Sequence, residues 1–303
     1  MRKIVFLISA VLLMTACGSG DNTSESFSDG ETDVLADSVS LKVAVMPTID
    51  CLPLFVAAEN GMFERQGLSV SLYPYDAQMD CDTAFLNGRV DVMATDLVRC
   101  ERMKSQGVDV HYITASELHW QLVASRMTRV RRLSQLEDKM IAMTRFSATA
   151  MLADMLVDSS TVTNEHVFRI QVNDVNVRLR MLESEVMDAM LLPEPQATVA
   201  RQKEAVVLYD TRWNDVCMGV LVARSEAMAD TLRQHRIETL MRVYDEACDT
   251  INSWGLQTFH PLISRQCKVR AEMLDSLADI HFNHSHQPRQ VDIDRANAWL
   301  KNQ

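Results

Sequence analysis

The chain has 303 residues, 47% of them hydrophobic and 23% charged, and its 30 Lys and Arg against 41 Asp and Glu give a formal net charge of −11. That apolar share is globular, and the acidity argues against nucleic acid and against adhesion to anionic lipid, while leaving room for a cationic ligand. The roughly 260 residues from Leu41 onward are enough for two lobes of about 100 to 150 residues each.

Arg2 and Lys3 precede an apolar run from Ile4 to Met14, which ends in Met14-Thr15-Ala16-Cys17. The run is short against the roughly 20 residues of a membrane span, so a removed signal peptide fits better than a retained helix. The cysteine makes residues 1–17 resemble a bacterial lipoprotein signal, with Cys17 lipidated as the first mature residue, although Met14 stands where Leu is usual. An ordinary secretory signal is the alternative. Loss of the two basic residues takes the charge from −11 to −13. Residues 18–40, including GSGDNTSESFSDGETDVLADS, are too polar to fold and read as a tether reaching on the order of 25 Å. No second segment approaches spanning length, so the expected place is the cell envelope, anchored to a membrane at its periplasmic or extracytoplasmic face.

Seven short apolar runs read as strands: Leu41–Met46, Leu68–Tyr73, Val90–Ala94, Val108–Thr114, Met140–Thr144, Val167–Val172 and Met187–Leu192. They alternate with helical stretches, which predicts mainly parallel sheets covered on both faces. Pro53 suits a first helical turn, and Thr95, Ser147 and Asp174 are expected helix caps. Gly67, Gly88 and Gly107 stand where helices should stop before a new strand. After Ser225 only helices are expected, with Ile237–Trp254 amphipathic enough to pack on the first lobe.

The stretch LPLFVAAENGMFERQGL, the FLNGRVDV turn and the closing ATD resemble the ABC-transporter substrate-binding proteins for sulfonates, nitrate and thiamine-pyrimidine precursors. LEDKMIAMTRFSATAMLADML and MLESEVMDAMLLPEPQATVA carry the resemblance into the second half, where Glu185 stands at a position that is often Gly. The resemblance implies a two-lobed type II periplasmic-binding-protein fold, each lobe a mainly parallel sheet flanked by helices. Lobe one would take residues 41–118 and 222–303, and lobe two residues 119–221. The apolar segments His119–Ser125 and Met218–Arg224 would act as a two-strand hinge. It further implies a monomer that captures a small molecule between the lobes and delivers it to an ABC permease, without cofactor.

In an open parallel sheet the ligand lies beyond the carboxyl ends of the strands. That rule selects Thr48, Asp50, Cys51, Gln78, Asp80, Cys81, Asp82, Thr95 and Asp96 from lobe one, and Arg145, Phe146, Ser147, Thr149, Asn173 and Glu194 from lobe two. Each has a plainer role open to it: Ser147 and Thr149 as helix caps, the acids as solvated or capping groups. If Ser147 and Thr149 do more, the start of their helix is an anion site to which Arg145 adds charge. Yet Asp50, Asp80, Asp82, Asp96 and Glu194 face one Arg145 on these loops. One charge pair at 4 Å is worth about 4 kcal/mol at an effective dielectric near 20. The expected ligand therefore carries amino or ring-nitrogen donors, an aminopyrimidine being one example, with a sulfonate or nitrate as the alternative. Tyr75, Trp120, Phe146 and Trp213 lie near enough to sandwich a ring.

Cys51 and Cys81 follow neighbouring strands and form a candidate disulfide, with Cys248 and Cys267 a second; buried free thiols are the alternative. No CxxC, GxSxG, HExxH, Walker or GxGxxG string occurs in the mature chain. The expected protein is accordingly not an enzyme, the competing readings being an enzyme on the same scaffold or a sensor subunit. His281, His284 and His286 read as a solvated loop, not a metal site.

Overall fold

Short β-branched and aliphatic runs build two sheets of five strands each in the computed structural model, which describes residues 40–303. The expected signal peptide, the lipidated Cys17 and the tether up to residue 39 lie outside the described residues. The first sheet orders its strands β2-β1-β3-β10-β4: β1 (Leu41–Val45), β2 (Val70–Pro74), β3 (Val92–Asp96), β4 (Val110–Ala115) and β10 (Gly219–Arg224). The second runs β7-β6-β8-β5-β9: β5 (Trp120–Ala124), β6 (Lys139–Met143), β7 (Val167–Gln171), β8 (Ala189–Pro193) and β9 (Val206–Asp210). In each sheet four strands run the same way, and one, β10 or β5, runs antiparallel to both its neighbours.

Helices cover both sheets: α1 (Leu52–Glu59), α2 (Met62–Arg65), α3 (Gln78–Leu86), α4 (Leu97–Ser105), α5 (Ala148–Asp158), α6 (Val175–Glu183), α7 (Gln196–Gln202), α8 (Ser225–Ala229), α9 (Thr231–Trp254), α10 (His260–Cys267) and α11 (Gln290–Leu300). The amphipathic α9 buries Ile237, Leu240, Val243, Tyr244, Ala247 and Ile251 and packs against α1.

All seven expected strands form, but β2, β3, β4 and β8 begin two residues later than the apolar runs do. The leading residues belong to the helix ends. At Gly67 the amide of Leu68 reaches back to the Phe63 carbonyl, and at Gly107 that of Val108 reaches Met103, both at 3.0 Å. This is the reversed bonding of a helix stop, in which the residue after the turn packs back on the helix before any ladder begins. Glu185 (φ 61) and Glu204 (φ 61) make the same turn. β9, absent from the expected strands, follows Glu204: an acidic residue in the left-handed position masked a stop that glycine would have announced. Thr95 is not a cap, because β3 runs two residues further, to Asp96, and Asp96 caps α4 instead.

The chain leaves the first sheet after Ala115, enters the second at Trp120, and returns between Asn214 and Gly219. The two segments expected as hinge strands are thus full members of the sheets, and the first sheet resumes at Gly219, not at Val222. The crossings lie side by side, with the Ser116 amide donating to the Gly219 carbonyl at 2.9 Å. A Cβ on Gly219 would sit 2.4 Å from the Leu118 Cβ and 2.5 Å from the Ser116 Oγ. Gly219→Ala is therefore expected to cost about 1–3 kcal/mol, as overpacking does, read from the urea midpoint at unchanged m-value.

The lobes are closed on one another. Ile49 N donates to the Glu194 carbonyl (2.9 Å), Gln196 Nε2 to the Pro47 carbonyl (2.8 Å), and Ala77 bridges Asp174. At the far end α11 packs against both α4 and α5, and Trp299 Nε1 donates to Asp154 Oδ2 at 2.9 Å.

Candidate functional site

Between the lobes, at the carboxyl ends of the parallel strands, lies a cavity of about 50 Å³. Of the residues selected from sequence it brings together Thr48, Asp50, Gln78, Thr95, Asp96, Ser147, Thr149 and Asn173. Cys51, Asp80, Cys81, Asp82, Arg145, Phe146 and Glu194 do not line it. Among the aromatic candidates Trp120 does, whereas Trp213 stands 63% exposed against Tyr209.

Asp50, on the turn after β1, is the most telling member. It is 2% exposed, its Oδ2 accepts from Ser116 Oγ at 3.4 Å, and its Oδ1 has no partner. The Thr48 hydroxyl beside it is equally buried and unpartnered. Burial raises the Asp50 pKa, against the lowering influence of the neighbouring Thr48, Ser116 and His119 side chains. A buried acceptor left without a donor costs about 1–3 kcal/mol, more when charged, so this corner of the cavity is built to receive a donor.

Asp96 does two tasks at once. Its Oδ1 accepts from Arg99 N (3.1 Å), capping its own helix, and from Ala148 N (3.0 Å), the first residue of α5 in the opposite lobe. Burial pushes its pKa up to about 6 in spite of the Arg99 charge and both amides. The helix start expected from sequence as an anion site is therefore already filled by a carboxylate of the protein. Ser147 and Thr149 keep the plainer role: Ser147 Oγ donates to the Thr144 carbonyl (2.7 Å) and accepts from Thr149 N (3.1 Å), while Thr149 Oγ1 accepts from Thr144 N (2.9 Å).

Two arginines in the cavity wall escape the strand-end rule. Arg99 lies one turn into α4, bonds the Asp82 carboxylate and sits 3.5 Å from Asp96, yet its Nη2 is buried without a partner. Arg178 lies one turn into α6, 4% exposed, donating to the Val172 carbonyl (2.7 Å), the Leu191 carbonyl (2.9 Å) and the Thr144 hydroxyl. Burial and the Arg99 charge lower its pKa to about 10. Their signal in the sequence is an Arg three or four residues after a capping Asp, Asp96-Arg99 and Asp174-Arg178, which turns the side chain back towards the helix start. The count of five acids against one Arg does not survive. Asp80 is exposed on α3, Asp82 is engaged by Arg99, and Glu194 takes donors from Gln121, Arg201 and Thr198.

The six cysteines among the described residues are free. Cys51 Sγ accepts from Met46 N (3.4 Å) and Cys81 Sγ donates to the Ala94 carbonyl (3.9 Å), so the two thiols turn to different backbones and the pairing expected between them is absent. Cys248 and Cys267 are also separate buried thiols. Burial raises the pKa of all four. Among the described residues no cluster of His, Cys, Asp or Glu could hold a metal ion.

The family model described as NMT1/THI5 like matches residues 48–252, a span holding every one of these cavity residues except Met46. The chain belongs to the NMT1/THI5-like family. No curated protein sequence matches this NMT1/THI5-like chain. Among solved structures it is similar to the periplasmic aliphatic sulphonate binding protein SsuA from Escherichia coli, at 13% identity over 87% of each chain with a TM-score of 0.71. The alkanesulfonate-binding protein SsuA from Xanthomonas axonopodis pv. citri bound to MOPS gives 13% identity over 87% of this chain and 92% of that one, TM-score 0.74. The periplasmic nitrate-binding protein NrtA from Synechocystis PCC 6803 gives 12% over 78% and 68%, TM-score 0.67. At such identities the likeness establishes the fold, the two-lobed type II periplasmic-binding-protein arrangement expected from sequence.

Proposed function

We propose that this NMT1/THI5-like protein is the solute-binding receptor of an ABC import system, lipid-anchored at Cys17 on the outer face of a bacterial membrane. As a monomer it captures a small amine between its lobes and presents the closed form to a permease. The observation that carries the reading is Asp50, a buried carboxylate with one oxygen unsatisfied and turned to the interlobe cavity beside the unpartnered Thr48 hydroxyl. An ammonium or an exocyclic amine has the hydrogens to satisfy both acceptors, a ring N–H satisfies one, and Trp120 supplies an apolar wall. An aminopyrimidine has such groups. The similar proteins named for sulfonate and nitrate favour an anion in this place, but Asp96 already takes the Ala148 amide that would receive one. Capture is a population shift: a solute touching Thr48 and Asp50 on one lobe and Thr144 or Arg178 on the other makes both sets of contacts only when the lobes are closed.

Thermal-shift and calorimetric titration with aminopyrimidines, alkylamines, sulfonates and nitrate tests this. Amine-bearing solutes are expected to bind, and Asp50→Asn to weaken them roughly 10- to 100-fold, the loss of about 1.5–3 kcal/mol from one charge-assisted hydrogen bond. Binding of sulfonates alone, unaffected at Asp50, would overturn the proposal.

A further inference from the structure

Beside the central cavity, and sharing Arg99 with it, a groove of about 310 Å³ opens at the rim where α3 and α4 of one lobe meet the β6–α5 turn of the other. Its wall includes the polar Asp82, Arg99, Arg102 and Arg145 beside the Phe146 ring. The Phe146 ring carries two guanidinium groups: Arg102 with its Cζ 4.2 Å from the ring centroid, and Arg145 at 5.5 Å. Neither of these arginines forms an ion pair or a side-chain hydrogen bond among the described residues. The one carboxylate in the wall, Asp82, is engaged by Arg99. Three guanidinium groups thus face one carboxylate, on a protein whose formal charge is −11. Phe146 is held at φ 52, a left-handed backbone that aromatic residues seldom adopt, so the turn is constrained where it presents the ring.

We propose that this rim groove is a second site, specific for an oxyanion group such as a phosphate or carboxylate, gripped between Arg102 of one lobe and Arg145 of the other. A guanidinium offers a planar pair of donors that matches an oxyanion in bidentate fashion, and an anion bound by both arginines offsets the repulsion of two like charges gathered about one ring. Because the two arginines come from opposite lobes, the site is complete only when the lobes are closed. An anion here therefore favours closure and, through the shared Arg99 wall, raises affinity for a solute in the central cavity. The oxyanion comes either free from solution or as the tail of the cavity solute, and the two sources are separable.

The test is calorimetric titration of the purified protein at constant ionic strength, with inorganic phosphate against a chloride control, and with an alkylamine with and without a phosphate tail. Millimolar phosphate binding that falls at least about 10-fold in Arg102→Gln and in Arg145→Gln is expected for a free anion. The same loss confined to the phosphate-tailed amine assigns the oxyanion to the solute. Arg145→Lys, which keeps the charge and loses the planar fork, should bind between the two extremes and covers the case in which a Gln variant folds poorly. Inorganic phosphate is titrated without amine and the untailed alkylamine without phosphate, which separates failure here from failure of the receptor reading. No Arg102- or Arg145-dependent binding in either arm would overturn the proposal.

Discussion

Asp96→Ala is expected to open the molecule. The carboxylate ties α5 of one lobe to β3 of the other through the Ala148 amide, and a hydrogen bond to a charged group in a buried site contributes about 1.5–3 kcal/mol, a shift of roughly 10- to 150-fold in the closed-to-open ratio. The same substitution removes the cap of α4, worth about 1 kcal/mol of global stability. Asp96→Ser separates the two effects, because serine still caps its own helix but is too short to reach across. Small-angle scattering should show both variants more extended than the parent, with only alanine also losing thermal stability. An unchanged radius of gyration in both would show that the other interlobe contacts suffice.

Closure should also depend on pH through this residue. In the closed form burial holds the Asp96 pKa near 6, above the 3.8 of a solvated carboxyl, so the closed form binds the proton more tightly than the open one. Below about pH 4 both are protonated and closure is at its most favourable. As pH rises to about 6 the advantage falls by up to about 3 kcal/mol, and above that it stays level. Asp50 and Asp82, also raised by burial, act in the same direction. Asp96→Asn should therefore flatten the profile between pH 4 and 6 only in part.

Glu194→Ala is expected to give the largest loss of stability. The carboxylate is 3% exposed and takes four donors: Gln121 Nε2 (3.2 Å), Arg201 Nη1 (2.9 Å), and the amide and hydroxyl of Thr198 (2.9 and 2.7 Å). Breaking a fully buried pair by removing one partner costs about 3–5 kcal/mol. Arg201, at 27% exposure, can recover some hydration, so a loss of about 2–4 kcal/mol is expected in denaturant unfolding. Glu194→Gln retains one acceptor for the Thr198 amide and should lose about half as much. Equal losses would show that shape, not charge, governs the position. Glu194 looked like a ligand group in the sequence because it directly follows a strand, and the structure instead gives it to the start of α7.

That contrast shows how far the sequence could be read. Strands announced themselves as apolar runs, and the turns at Gly67 and Gly107 marked their helix stops, because glycine is cheap in the left-handed backbone such stops require. Where Glu185 and Glu204 adopt that backbone the signal weakened, and after Glu204 β9 went unread. The cavity was half legible. Thr48, Asp50, Gln78, Thr95 and Asp96 follow from the strand-end rule, whereas Arg99 and Arg178 lie one helical turn beyond its reach. Charge counting misled for a physical reason: a residue's place in the chain says nothing about which partner neutralises it, and Asp82 and Glu194 were already engaged.

The position of β10 reaches past the cavity to the making of the protein. β4 pairs only with β10, which lies between it and β3. A nascent chain that has completed residue 115 thus holds an unmatched strand edge until residues 219–224 arrive, after the whole second sheet has been made. The second lobe is contiguous and can close first. The lobe that starts the sequence is the last to be finished, and its edge at β3 and β4 stays bare until then.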